Sequence, residues 1–132
     1  MDKLQLIDKA VEAMKKSYSP YSGFTVGAAL LCADGTVYTG CNIENASFTP
    51  TVCAERTAIF KAVSEGKRDF KAIAIVGGKG CRITDFCAPC GVCRQVMSEF
   101  FRPDGEIYLW NGKESKTYTL AELLPASFTL DR

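Results

Sequence analysis

Ala72-Ile73-Ala74-Ile75-Val76 is a short, nearly all-apolar run, as expected of a strand covered on both faces. Working outward, residues 52–65 read as a helix with Ala58, Ile59, Ala62 and Val63 on its apolar side and Gly66 placed to stop it. Residues 77–89 read as loop. Residues 90–101 are helical and end before Arg102-Pro103-Asp104-Gly105. Upstream, residues 24–32 and 36–41 are strand-like and joined by the hairpin signal Ala33-Asp34-Gly35. Leu4, Ile7, Val11 and Met14 recur at helical spacing behind Asp2, a candidate N-cap, so residues 2–17 form an amphipathic helix broken by Ser17 to Gly23. Downstream come a strand at 106–110, a turn at Asn111-Gly112, a weaker strand at 116–119 and a short helix at 120–124 cut by Pro125. A hairpin followed by strand-helix-strand gives a mixed sheet with helices to cover both faces. The expectation is one three-layer α/β domain over residues 1–132, with no repeat, linker or low-complexity tract.

Length and charge bound the function. A chain of 132 residues suffices for one core and is too small for two. Sixteen Lys+Arg against fifteen Asp+Glu leave a formal charge of +1, which excludes a generic polyanion binder. No run approaches the length of a transmembrane helix, and Met1-Asp2-Lys3 has no apolar signal core behind it. The expected compartment is the cytoplasm, with no membrane partner.

Seven Cys and no His are the informative counts. Without His there is no imidazole nucleophile partner and no imidazole metal ligand, so a proton shuttle near neutral pH must be a tuned Glu, Asp, Lys, Tyr or Cys. An odd number of Cys in a chain without a secretion signal argues against a disulfide framework and for metal ligands or buried thiols.

Cys87-Ala88-Pro89-Cys90-Gly91-Val92-Cys93 holds two overlapping CxxC spacings just before a helix, and Cys53 opens the preceding helix. Helix starts offer unpaired N–H groups and partial positive charge, which favour thiolate. If both helices flank the strand at 72–76 with their N-termini pointing the same way, Cys53, Cys90 and Cys93 converge. Three thiolates can hold zinc and leave its fourth position for water. Two other arrangements are open: a closed four-Cys structural site using Cys87, against which Pro89 argues by stiffening the turn, and a metal-free redox pair of Cys87 and Cys90. Cys32, Cys41 and Cys81 read as packing or surface thiols. Glu55 is either a first-turn acid complementing the helix dipole or, reaching over the helix tip, a proton carrier beside the metal's water. Arg56 is either a solvent-exposed helix residue or a guanidinium that drains charge from the thiolates, since three thiolates on Zn²⁺ leave one negative charge.

Thr51-Val52-Cys53-Ala54-Glu55 with Pro89-Cys90-Gly91-Val92-Cys93 resembles the C-A-E … P-C-x-x-C signature of zinc-dependent nucleoside deaminases. Tyr18 to Leu30, Gly40 to Ala46, Glu55-Arg56-Thr57-Ala58, Cys93-Arg94-Gln95-Val96 and Leu123-Leu124-Pro125 resemble the small homotetrameric cytidine deaminases, so the match runs over about residues 17–128. The resemblance implies a three-layer α/β/α sandwich with a mixed five-stranded sheet, one Zn²⁺ per subunit, and hydrolysis of cytidine or 2′-deoxycytidine to the uridine and ammonia in pyrimidine salvage. It implies Cys53, Cys90 and Cys93 as metal ligands, Arg56 as their charge partner, and Glu55 as the shuttle of protons to N3 and the departing amine. Phe24 would pack on the nucleoside, Asn42 and Glu44 would hold the ribose hydroxyls, and the Ala54 backbone N–H would bind the C2 carbonyl. Phe128 would enter a neighbouring subunit's site, giving the expected homotetramer a functional part. Read alone, Asn42 and Glu44 are a loop Asx-turn and a solvated charge, and Phe128 is a core anchor.

Phe48 stands where many such enzymes carry Tyr, the stretch 48–51 is less typical, and Ala88 replaces the usual Ser or Thr before Pro-Cys. Near-neutral charge disfavours a polynucleotide substrate. An antibiotic aminonucleoside would need only different contacts at the sugar end, and the intact Asn42-Ile43-Glu44-Asn45 favours ordinary ribosides.

Overall fold

The structure, a computed structural model, describes residues 1–131; of the expected 1–132 domain, residue 132 alone lies outside them. Nine elements follow in the order expected: α1 (Lys3–Met14), β1 (Phe24–Cys32), β2 (Val37–Cys41), α2 (Ala54–Ser64), β3 (Phe70–Lys79), α3 (Gly91–Phe100), β4 (Phe101–Trp110), β5 (Ser115–Thr119) and α4 (Leu120–Leu123). Asp2 caps α1 in a reciprocal box with Gln5, satisfying two of the N–H groups a helix start leaves free. Cys53 and Cys90 are themselves the N-caps of α2 and α3, so both helices begin one or two residues later than their sequence pattern suggests.

The sheet order is β2-β1-β3-β4-β5. β1 is antiparallel to β2 and β3, β3 is parallel to β4, and β4 is antiparallel to β5. β3 is the central strand, and its alternation explains the apolar run. Ala72, Ala74 and Val76 pack with Leu6, Ile7, Ala10 and Met14 of α1 on one face. Ile73 and Ile75 pack with Ala58, Ile59, Cys93 and Met97 of α2 and α3 on the other. This is the expected three-layer α/β/α sandwich with a mixed five-stranded sheet. Close approach of the layers needs glycine at two points: α1 crosses β1 at Gly27, and α2 crosses β2 at Gly40, where added Cβ atoms would meet helix backbone at 2.0 Å and 2.5 Å.

Several boundaries differ. α1 stops at Met14, short of the expected residue 17. β3 runs from Phe70 to Lys79, so residues 77–79, expected as loop, are strand because they pair with Val26, Thr25 and Phe24 of β1. Residues 102–105 end the helix as expected but belong to β4, not to a turn. Phe101 already pairs with Phe70, and pairing resumes at Ala72 with Glu106, so the intervening residues bulge from the ladder. Pro103, which cannot donate to a ladder, is tolerated in such a bulge.

The topology settles where α2 and α3 begin. α2 runs into β3 through a short turn and so lies antiparallel to it. α3 leaves the far end of β3 and returns to start the parallel strand β4. Both N-termini therefore lie at the carboxyl end of β3, where open α/β sheets place their ligand sites.

Candidate active site

Cys53, Cys90 and Cys93 meet at that end, their Sγ atoms all within 4.8 Å of one another. A zinc ion holding thiolates tetrahedrally at about 2.3 Å sets its sulfurs about 3.8 Å apart. The Sγ atoms of Cys53 and Cys90 are 3.8 Å apart, so the cradle fits zinc. Cys87 is not in this cluster, so the closed four-Cys site is not what the fold builds, and all seven cysteines are free thiols. The remaining thiols fall as expected, with Cys32 buried, Cys41 half-buried and Cys81 exposed.

The sulfurs are electrostatically coupled. Cys53 is pulled down to about 5 by a hydrogen bond from Cys93, aided by the Arg56 guanidinium and Cys90. Cys93, donating to that thiolate and desolvated, is pushed up. One negative charge shared by three close sulfurs is an invitation to a cation, on which all three would ionise. Arg56 Nη2 donates to Cys53 Sγ at 3.5 Å, so Arg56 is turned into the site and not out to solvent. Its Nε is a buried polar atom without a hydrogen-bond partner.

Glu55 is 4% exposed, the one buried charged side chain among the described residues. Burial pushes its carboxyl up to about 7, helped by the Cys53 charge. A dipole-complementing surface acid would be wet; this side chain is folded over the helix tip beside the sulfurs. Ala54, at the same tip, is fully buried.

Beyond the sulfurs, the loop 42–52 crosses the end of the sheet. Asn42 is locked: its Oδ1 accepts from Val26 N at 2.9 Å and from the Ser17 hydroxyl, and its Nδ2 donates to Phe24 O at 2.8 Å. Glu44 Oε1 accepts from the backbone N–H groups of Tyr21 and Ser22 at 3.0 and 3.1 Å, and Oε2 from the Ser22 hydroxyl, which lowers its pKa. Neither is a freely solvated loop residue; both are fixed polar groups on one rim. Phe24 opens β1 on this rim, 42% exposed. Phe128 lies beyond α4, 65% exposed and outside both core clusters, so it does not anchor this chain's own core.

Two residues escaped the sequence reading. Arg94 donates from Nε to Pro89 O and from Nη1 to Leu123 O, both at 2.8 Å, tying the loop before Cys90 to the end of α4. Gly77 carries the Cys87 side chain close above the sheet; a glycine within a strand is the signal that could have marked it.

The family model described as the cytidine and deoxycytidylate deaminase zinc-binding region matches residues 1–108. The cytidine deaminase of Halalkalibacterium halodurans is 50% identical over 132 residues, 99% of this chain and 97% of the relative. That of Sporosarcina psychrophila is 49% identical over 130 residues, 98% of this chain and 93% of the relative. The crystal structure of cytidine deaminase from Burkholderia pseudomallei superposes with a TM-score of 0.89 at 46% identity, covering 97% of this chain and 100% of that one. A zinc cradle of three cysteines, a buried glutamate at the same helix tip, and relatives of this likeness along the whole chain place it in one family: the chain belongs to the zinc-dependent cytidine and deoxycytidylate deaminases.

Proposed function

We propose that this enzyme hydrolyses cytidine and 2′-deoxycytidine to uridine and 2′-deoxyuridine with release of ammonia, the C4–N4 bond being replaced by a C4–O bond. The observation that carries the reading is the convergence of Cys53, Cys90 and Cys93 at two helix N-termini beside the buried Glu55. Zinc bound by the three thiolates supplies Lewis acidity that makes water nucleophilic near neutral pH. The chain's own residues do the rest. Glu55 takes one proton of the attacking water and delivers it to N3, then takes the second from the new C4 hydroxyl and gives it to the departing amine, leaving the C4 carbonyl, as the glutamate of zinc deaminases does. Arg56 withdraws charge from the Cys53 sulfur and keeps the three-thiolate site from becoming too electron-rich. The Ala54 N–H, free at the start of α2, binds the C2 carbonyl and fixes the ring's orientation.

At the other end of the substrate, Phe24 packs on the nucleoside. Asn42 and Glu44 present the rigid amide and carboxylate that take the ribose hydroxyls. The free lone-pair capacity of Glu44 and the second Nδ2 hydrogen of Asn42 remain for substrate after their internal bonds are counted. The exposed Phe128 enters the site of a neighbouring protomer in a homotetramer. The near-neutral charge fits a small nucleoside, not a nucleic acid polymer, and no helix among the described residues is long and apolar enough to cross a membrane. Cytoplasmic pyrimidine salvage is the setting we assign.

The test is an absorbance assay with cytidine, the uridine confirmed by chromatography. Glu55→Gln retains zinc and loses about 10²–10⁴-fold in kcat, the usual worth of a positioned acid–base group. Near-normal turnover in that variant would remove Glu55 from the mechanism.

A further inference from the structure

We propose that Cys87 governs which substituent the pyrimidine can carry at C5, so that this site accepts 5-methyl and 5-halo cytidines according to the room the Cys87 side chain leaves. The inference rests on the substrate orientation given above. A pyrimidine ring has two edges between N1, where the sugar departs, and C4, the reacting carbon. The C2–N3 edge is taken by the tip of α2, through Ala54 N–H and Glu55. The C5–C6 edge then faces away from α2, toward the chain that leads into α3.

Phe86 and Cys87 on that approach both pack against the core cluster of this face, and Cys87 is the one that rests on β3 at Gly77. A Cβ placed on Gly77 would lie 2.8 Å from Cys87 Sγ, 3.1 Å from Cys87 Cβ and 3.2 Å from the Phe24 ring. Gly77 is paired with Val26, two residues along β1 from Phe24. Phe24 and Cys87 are therefore neighbours across one glycine, the aromatic ring on one strand and the thiol resting on the next. Any larger residue at 77 would expel the thiol from this position, so the bare glycine and the thiol form one wall. Cys87 packs against the same core cluster as Cys53 and Val26 and stands apart from the three converging sulfurs. Burial and the charges of Glu55 and Cys53 push its thiol up to about 11, so at neutral pH it is a small, uncharged, polarisable surface, suited to a methyl or halogen.

A single sulfur occupies less of this corner than a branched aliphatic side chain and more than a methyl. Changing a hydrophobic pocket by about one methylene alters discrimination by roughly 10–200-fold. The experiment measures kcat/KM for cytidine and 5-methylcytidine in the zinc-loaded wild type, Cys87→Ala and Cys87→Val. The ratio of 5-methylcytidine to cytidine is expected to rise about tenfold in the alanine variant and to fall about tenfold in the valine variant. Affinities for the product nucleosides uridine and 5-methyluridine, measured without turnover, should follow the same order. Should the valine variant not fold, Cys87→Ser and Cys87→Ala carry the comparison, serine keeping the wild-type ratio within a fewfold. Ratios that stay within about twofold of wild type in the alanine variant overturn the assignment. Failure of the wild type to deaminate cytidine would instead overturn the proposed reaction, a separate outcome read from the first assay alone.

Discussion

Gly40 offers a test of the link between packing and zinc. It lies on β2 opposite Ala28, and α2 rests directly on it. A Cβ there would come within 2.5 Å of Ala58 N, 2.7 Å of Ala54 O and 2.9 Å of Thr57 Cβ. Two of these atoms are helix backbone, so no side-chain rotation relieves the clash. Restoring an ordinary contact of about 3.5 Å requires α2 to retreat by roughly 1 Å. Overpacking of this kind costs about 1–3 kcal/mol, which a domain of this size can absorb while remaining folded.

The local consequence is larger. α2 carries Cys53, Ala54 and Glu55, while Cys90 and Cys93 stay with α3. A metal site tolerates about 0.2 Å in its ligand distances, so retreat of α2 pulls one ligand of three away. For Gly40→Ala we expect zinc affinity to fall about 10–100-fold, the usual cost of disturbing a site's supporting shell. Turnover under zinc saturation should fall about 100-fold through misplacement of Glu55. Competition with a chromophoric chelator measures the first, cytidine turnover at saturating zinc the second, and urea unfolding separates both from global instability. Gly91→Ala is the control, since it begins α3 and an added Cβ meets nothing within 4 Å. A Gly40→Ala protein with wild-type zinc affinity and turnover would refute the claim that this glycine sets the position of α2.

Asn42→Ala removes two hydrogen bonds that hold β1 to the rim and a third from the Ser17 hydroxyl; we expect a loss of about 2–3 kcal/mol in urea unfolding together with a raised KM for cytidine. A variant with raised KM and unchanged stability would show that the internal bonds contribute nothing. Arg94→Ala orphans the carbonyls of Pro89 and Leu123 and should lower stability by about 3 kcal/mol and speed zinc release to a chelator. Asp34 accepts from Lys67 Nζ at 2.6 Å, which holds its carboxyl well below the usual range, and from Thr36 N at 3.0 Å. A depressed carboxyl stabilises the fold above its unfolded pKa of about 3.9 and loses that contribution as pH falls below it. Asp34→Asn should therefore narrow the stability gap to wild type as the buffer is taken from pH 6 to about pH 3. Because the pair is exposed, the gap at pH 6 should be small, and one that widens on acidification would contradict the sign.

Much of the fold was legible because its signals are local. The apolar run at 72–76 announced a strand covered on both faces, and α1 announced its own start through Asp2, which forms a reciprocal capping box with Gln5. The bulge at 102–105 was not legible. Arg102-Pro103-Asp104-Gly105 has turn chemistry, and only the partner strand decides that pairing begins before it, at Phe70 with Phe101. The same division holds at the site. Motif spacing pointed to Cys53, Glu55, Cys90 and Cys93, and the family resemblance to the rim residues. Arg94 and Gly77 act through partners distant in sequence, Leu123 for one and Cys87 for the other, and no spacing rule relates such pairs.

The histidine-free composition and the site's electrostatics are two sides of one arrangement. With no imidazole in the chain, every ligand in the cradle is an anion when bound, so zinc's charge is more than cancelled and its Lewis acidity suffers. The fold counters this from three directions. Two helix N-termini bring their partial positive charge to the sulfurs, because α2 and α3 both begin at the carboxyl end of β3. Arg56 adds a full charge on one of those sulfurs. Glu55, pressed out of water in the same corner, is a base strong enough to take a proton from water that a weakened metal would otherwise leave in place. Removing any one of these should make the others insufficient: an Arg56→Gln variant should need a higher pH for half-maximal turnover while keeping its zinc. Unchanged pH dependence in that variant, with zinc content equal to wild type, would mean that the helix ends alone balance the thiolates.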